Sequence, residues 1–425
     1  MPPMRVLGNI GVLARCLPAG PQDDANTVPH AALAWTEGTI RWAGPQAELP
    51  SEFRDWPADD AGGRLVVPGL VDCHTHLAFA GWRADEFERR IHGAGYLEIA
   101  AAGGGIASTV AKTRAASTGE LLEHCRTHLA AMARLGVTTV EAKSGYGLSL
   151  ESELRILEVY RELSRSGHRM VPTLLAAHVV PAEFRDRRAE YVALVIEQII
   201  PRAAAGGLAR FCDVFVEESA FSIEEGRRIL EAGKRHGLAP KLHADQLTGS
   251  GGAELAAEVG AASADHLECI SSQGIEQMAR AGVVAVSLPF ASLYLGVNPL
   301  PARRLLAAGV AVAVATDFNP GSAPSYHLPV AMTLACTLQK MTPAEALKGA
   351  TIVAARAIGL EPEVGSLEAG KAADFAVIDA DSVEQWLYHL RPNACVRTVR
   401  RGETIWTASG ELPAIRFTSS PRPPA

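Results

Sequence analysis

The chain has 425 residues, 48% of them hydrophobic and 20% charged, which is enough apolar content for one large domain and a smaller companion. Its formal net charge of −7 leaves no basic surplus to neutralise phosphates, so neither nucleic acid nor an anionic membrane is an expected partner. The seven cysteines are scattered with no CxxC pair, which argues against a disulfide framework and fits a reducing, cytoplasmic setting.

The N-terminal stretch 1–20 lacks a basic segment followed by a continuous apolar run, so no secretion signal is expected, and no apolar run reaches the roughly 20 residues of a membrane span. Residues 4–65 read as β-rich, with short runs at 31–35 and 39–42. From there the pattern alternates. Strands are predicted at 65–71, 137–142, 170–177, 211–216, 240–243, 261–265, 283–288 and 310–315, and helices at 121–134, 150–164, 189–200, 223–235 and 252–259. Eight strands alternating with helices point to an α/β fold, a parallel (β/α)8 barrel of the TIM type. A doubly wound sheet would give the same local signal with fewer strands. A second β-rich region covers 365–406, with strands at 374–378 and 396–399.

Metal-capable side chains recur at the C-terminal ends of the central runs: His74, His76, Glu141, His178, Glu217, His243, His266 and Asp317. In a barrel these ends converge on one rim, where active sites are built. In Pro68-Gly69-Leu70-Val71-Asp72-Cys73-His74-Thr75-His76 the two histidines stand two apart, on one side of an extended strand, and can face one ion. A bare HxH is more often a pair of surface histidines, but His243 and Asp317 also end apolar runs. Three imidazoles and one carboxylate suit Zn²⁺ or Fe²⁺, either of which can polarise a carbonyl and acidify water. His266 is a candidate for catalysis or for supporting the ligands. Cys73, Cys212, Cys269 and Cys336 lie in apolar stretches and read as buried, inert thiols. The triple glycine 103–105 lacks a phosphate-loop pattern and reads as a bendable lid.

These residues resemble the metal-dependent amidohydrolase superfamily: the first-strand HxH, the later-strand His243 and His266, the last-strand Asp317, and the segment Val364-Gly365-Ser366-Leu367-Glu368-Ala369-Gly370-Lys371-Ala372-Ala373-Asp374-Phe375. The resemblance implies a small β-sandwich built from both chain ends. It divides the chain into a composite sandwich (1–64 with 362–410), a catalytic barrel (65–361) and a C-terminal tail (411–425). Many superfamily members hold two metals through a lysine on the fourth strand. The run Phe211-Cys212-Asp213-Val214-Phe215-Val216-Glu217 has none, so one divalent ion is expected, held by His74, His76, His243 and Asp317. Lys241 reads as structural.

Within the superfamily the chain is similar to the imidazolonepropionase family. The similarity rests on His76-Leu77-Ala78-Phe79-Ala80-Gly81-Trp82-Arg83, Glu141-Ala142-Lys143-Ser144-Gly145-Tyr146-Gly147-Leu148, His243-Ala244-Asp245-Gln246-Leu247 and Thr316-Asp317-Phe318-Asn319-Pro320-Gly321-Ser322. It implies hydrolysis of a cyclic amide that carries a carboxylate arm, in a protein expected to be a homodimer. Arg83 and Tyr146 would hold the arm, since a guanidinium reads a carboxylate bidentately. His178 and Gln246 would meet the ring, and Asn319, Gly321 and Ser322 the glutamate-like end. Each has an ordinary alternative: a surface salt bridge, a core ring, a packed imidazole, a loop amide, a plain Asn-Pro-Gly turn. A glutamate can stand in the family where Gln246 stands. A glutamine cannot take a proton, so Asp317, His266 and His178 become the expected proton carriers. A nucleobase deaminase is the nearest rival, though its substrates lack the carboxylate that Arg83 and Tyr146 would serve. A barrel that has lost its chemistry is the other rival, but here every expected ligand is present.

Overall fold

The computed structural model describes residues 4–94, 103–165 and 167–408. The tail expected at 411–425 lies outside the described residues. Five strands open the chain: β1 (Arg5–Ala14), β2 (Thr27–Thr36), β3 (Thr39–Pro45), β4 (Ala58–Asp60) and β5 (Leu65–Pro68). Eight follow with helices between them: β6 (Leu70–Asp72), β7 (Val137–Lys143), β8 (Arg169–Ala177), β9 (Phe211–Val216), β10 (Ala239–Ala244), β11 (Ser263–His266), β12 (Val284–Ser287) and β13 (Val312–Val314). The last three are β14 (Phe375–Ile378), β15 (Cys395–Arg400) and β16 (Glu403–Thr407).

Strands β6 to β13 pair in parallel, each with its sequence neighbour, and form the expected barrel. Closure falls just past the ends of β6 and β13. The Asp317 amide donates to the His74 carbonyl at 3.0 Å, and the His76 amide to the Phe318 carbonyl at 2.9 Å. The seam of the barrel is therefore made by the residues singled out as metal ligands. The surrounding helices begin where the sequence dictates. Ser117, Ser222 and Thr342 each cap a helix start, and Glu120, Glu225 and Glu345 reciprocate.

The remaining strands form a second sheet in the order β16-β15-β14-β5-β1-β2-β3, with β4 on β1. Both chain ends contribute, as expected. The sheet curls on itself. Strands β2 and β14 stand three places apart, a distance of about 14 Å in a flat sheet. Yet the Trp35 and Phe375 rings meet edge-on at 5.2 Å. Leu7, Ile10, Leu33, Val66 and Val399 fill the space between the facing halves.

One predicted strand is two. Residues 65–71 split at Gly69, whose amide donates to the Asp374 carbonyl at 2.9 Å. β5 then pairs with β1 and β14 in the small sheet, and β6 begins the barrel. An unbroken apolar run hides this change of sheet, because both strands are buried on both faces. The predicted helix 189–200 is also interrupted. It runs as Arg188–Leu194, widens to a π turn at Val195–Ile199, and resumes at Ile200–Ala205 with Pro201 in its first turn.

Candidate active site

His74 and His76 follow β6, His243 lies in β10, His266 ends β11 and Asp317 follows β13, so the strand ends of one rim supply the polar cluster. All five side chains are buried. The Asp317 Oδ1 lies 3.4 Å from His74 Nε2 and 3.5 Å from His76 Nε2. His243 Nε2 faces His76 Nε2 at 3.4 Å. Two overlapping groups, His74–His76–Asp317 and His74–His243–His266, each bring their ligand atoms within 4.8 Å of one another. The four expected ligands are thus together, and His266 is close enough to His74 and His243 to be a fifth neighbour.

The donor set fits a divalent cation on two grounds. The Nε2 of His74 is fully buried and makes no hydrogen bond, which is costly for a polar atom unless something else meets it. The opposite ring nitrogens are anchored: His74 Nδ1 to Asp265 at 2.6 Å, and His243 Nδ1 to Asp213 at 3.1 Å. A carboxylate on Nδ1 fixes the proton there and leaves the Nε2 lone pair for a metal. Burial works to raise the Asp317 carboxyl; it is held well below the usual carboxylate range only where His74 and His76 present a proton on Nε2, the place a cation would take.

Beneath the histidines the barrel interior is charged. Lys143 Nζ lies 2.7 Å from Asp213, 3.1 Å from Asp265 and 3.1 Å from Glu141. Lys241 Nζ meets Glu141 at 2.9 Å. Lys241 is therefore structural, as expected. Glu141, expected at the rim, points into this network and takes a further hydrogen bond from Thr173 at 2.5 Å. Glu217 instead accepts from the Leu247 amide at 2.9 Å, and so fixes the turn after Gln246.

Above the cluster opens a pocket of about 610 Å³, counted out to its mouth. Arg83, Tyr146, His178, Gln246, Asn319 and Ser322 all line it, and Gly321 does not. Gly321 has a different part. A Cβ on it would fall 1.5 Å from Arg83 Nη2, so only glycine lets the guanidinium lie flat on the turn. The Asn319 side chain is spent within that turn: its Oδ1 accepts the Gly321 and Ser322 amides at 2.8 and 2.9 Å. Tyr146 rides a loop gathered by Glu153, which accepts the Gly147 and Leu148 amides at 2.8 and 2.7 Å. Gly145, at φ +100°, turns its carbonyl to His178 Nδ1 at 3.0 Å. A carbonyl only accepts, so His178 carries its proton on Nδ1 and offers Nε2 as an acceptor. Burial first, then the neighbouring His76 and His243, keep this imidazole well below its ordinary pKa and hence neutral.

Sequence reasoning assigned no site role to Glu86 or Arg90 on the helix Ala84–Ile91, although Glu86 is part of the family resemblance and both line the pocket. Arg90 donates to the Gly321 carbonyl at 3.0 Å, and Glu86 accepts the Gly105 amide at 2.6 Å. The second bond anchors the end of the glycine run expected to bend; residues 95–102 lie outside the described residues. The i, i+3 relation of Arg83 to Glu86 was the available signal. Cys269 corrects another expectation. It lies in the turn after β11 and is exposed, and Cys336, on the helix Leu328–Gln339, is half-buried.

The loop that carries Arg83 rests on Phe79 and Trp82, which pack against His124 and His128. Burial, then His128, lowers the His124 pKa to about 4. As pH falls, the unfolded chain takes up this proton near the ordinary value of 6.5, before the native state does. This contribution to stability is therefore complete above that value and is lost as pH falls towards 4. Thermal melts of His124→Leu from pH 7 to pH 4 are expected to show a shallower decline in Tm than the parent. Parallel curves would remove His124 as the source.

The amidohydrolase family profile matches residues 65–405. The chain is 49% identical over 388 residues to the imidazolonepropionase of Geobacillus thermodenitrificans (strain NG80-2), spanning 90% of this chain and 92% of that one. It is 48% identical over 388 residues to the imidazolonepropionase of Symbiobacterium thermophilum, spanning 90% and 91%. Among solved structures, a triazine hydrolase variant superposes with a TM-score of 0.75 at 17% identity, over 95% of this chain and 94% of that one, which speaks for the fold alone. The chain belongs to the amidohydrolase family and, within it, to the imidazolonepropionases.

Proposed function

We propose that the protein hydrolyses the ring amide of 4-imidazolone-5-propanoate to N-formimino-L-glutamate, a step of histidine degradation. The observation that carries this reading is a buried His/Asp centre at the floor of a pocket whose wall bears Arg83. The ring needs a hydrolytic centre, and the propionate needs a cation.

The centre is read as one divalent ion, Zn²⁺ or Fe²⁺, held by His74, His76, His243 and Asp317. When bound, such an ion polarises a carbonyl and lowers the pKa of water. The residues around it do the rest. Arg83 receives the propionate through a charge-assisted pair, with the Tyr146 hydroxyl beside it. The neutral His178, with Nε2 as acceptor, takes an N–H of the ring. Gln246 offers an amide donor and acceptor to the ring edge and cannot serve as base. Asn319 and Ser322 shape the wall next to Arg83, and Gly321 keeps that guanidinium seated. Asp317 is ionised and accepts one proton of the attacking water. The hydroxyl oxygen bonds to the ring carbonyl carbon, the C–N bond breaks, and the proton passes to the leaving nitrogen with His266 as its relay. Atoms balance as one water added across one bond. We also place the enzyme in the cytoplasm as a homodimer, and light scattering of the purified protein tests the dimer.

The test is loss of imidazolone absorbance when purified protein meets freshly made substrate. Turnover is expected with the metal-loaded protein, to fall at least about 100-fold after chelation, and to return on adding Zn²⁺ or Fe²⁺. No turnover in a metal-loaded sample would sink the substrate assignment. Turnover that survives complete metal removal would sink the metal centre.

A further inference from the structure

The buried charges beneath the centre have a hub. Among the described residues, Lys143 on β7 is the one cationic side chain paired with both carboxylates bonded to the metal-facing histidines: Asp265, which holds His74, and Asp213, which holds His243. We infer that Lys143 is a positioning residue for the metal centre, acting on His74 and His243 through Asp265 and Asp213. This rests on the reading of the His/Asp cluster as a metal site.

Geometry supplies the reason. Asp213 and Asp265 come from β9 and β11, the strands that flank β10, and both point into the barrel with Glu141. Three carboxylates so placed, away from water, repel one another. The Lys143 ammonium has three donors and meets one oxygen of each. Its charge draws the two aspartates to fixed points, and each aspartate then fixes one imidazole by its Nδ1. The second lysine cannot do this, since Lys241 hydrogen-bonds to Glu141 and the Cys73 carbonyl instead. Asp265 has a further constraint from the Ser263 hydroxyl at 2.6 Å, whereas Asp213 is held by Lys143 and His243. Loss of the ammonium is therefore felt most at His243. The bonds that orient a ligand from behind change metal affinity by about 10- to 100-fold when broken.

Lys143→Met keeps most of the length of the side chain and removes the ammonium. Parent and variant are stripped of metal and titrated with Co²⁺ against a competing chelator, with the visible d–d bands recorded at each addition. The parent is expected to take Co²⁺ with a defined band pattern. A parent that takes none would sink the metal centre, and this inference with it. The variant is expected to bind about 10- to 100-fold more weakly, with bands shifted by the altered imidazole geometry. Should the lone substitution leave the three carboxylates too repulsive to fold, Lys143→Met with Glu141→Gln removes one charge of each sign. The double variant then carries the same expectation. Parent-like affinity and bands in either folded variant would overturn the role of Lys143 while leaving the metal centre intact.

Discussion

Replacing Asp317 with asparagine is expected to lower kcat by about 10³- to 10⁴-fold. The substitution keeps the shape of the side chain at the barrel seam. The backbone bond from the Asp317 amide to the His74 carbonyl is untouched, so the closure of the barrel stays in place. What goes is the charge. In the proposed mechanism the carboxylate has two tasks: it would face the metal and accept the proton of water. An amide does the first poorly and the second not at all. Steady-state kinetics with measured metal content per chain separate the two. Metal-replete Asp317→Asn protein that stays within about tenfold of the parent would remove Asp317 as the proton acceptor and shift that part to His266. A variant that loses metal but regains full turnover in excess Zn²⁺ would remove it equally. A melting temperature within a few degrees of the parent is expected, since the backbone at the seam is preserved.

The rim of this site was legible in the sequence for a physical reason. A parallel barrel places the C-terminal ends of all its strands on one face, so a polar residue ending an apolar run is already assigned a location. His74, His76, His243, His266 and Asp317 were all found that way, and the structure gathers them. The same rule misplaced Glu141. It stands two residues before the end of β7, on the inward side, and its carboxylate is buried under the rim by two lysines. Period-two alternation separates inside from outside, but it does not separate the mouth of a barrel from its interior. Asp213 and Asp265 were missed as supports for the histidines, since a carboxylate inside an apolar strand signals only that a partner exists elsewhere. The partner, Lys143, lies 70 residues from Asp213 in the chain. Arg90 and Glu86 were missed because their helix starts at a loop residue and presents few apolar positions, so periodicity gave no frame for it. The change of sheet at Gly69 was hidden because β5 and β6 are both wholly buried.

Gly321→Ala is the sharper probe of substrate choice, because it changes no group that would touch the substrate. Gly321 is not at positive φ, so alanine meets no backbone strain there. The whole effect comes from the new Cβ, which would lie 1.5 Å from Arg83 Nη2 and forces the guanidinium off the turn. Arg83 has few ways to adapt. Its amide is tied to the Pro320 carbonyl at 3.3 Å, its Nε is buried without a hydrogen bond, and Glu86 stands 3.8 Å away. A displaced guanidinium loses a bidentate grip on the propionate, worth about 1.5–3 kcal/mol for each charge-assisted bond. Two such bonds correspond to a fall in kcat/KM of about 10²- to 10⁴-fold, with most of it in KM because the arm is remote from the bond that breaks. Arg83→Met is expected to fall at least as far. The discriminating measurement uses a second substrate, an imidazolone whose propionate is converted to its amide. The parent should handle this analogue poorly, and both variants should handle it about as well as the parent does, since the lost interaction is absent from that pair. If Gly321→Ala reduces turnover of the acid and the amide by the same factor, Arg83 is not the receptor for the carboxylate, and the substrate assignment loses its chief structural support.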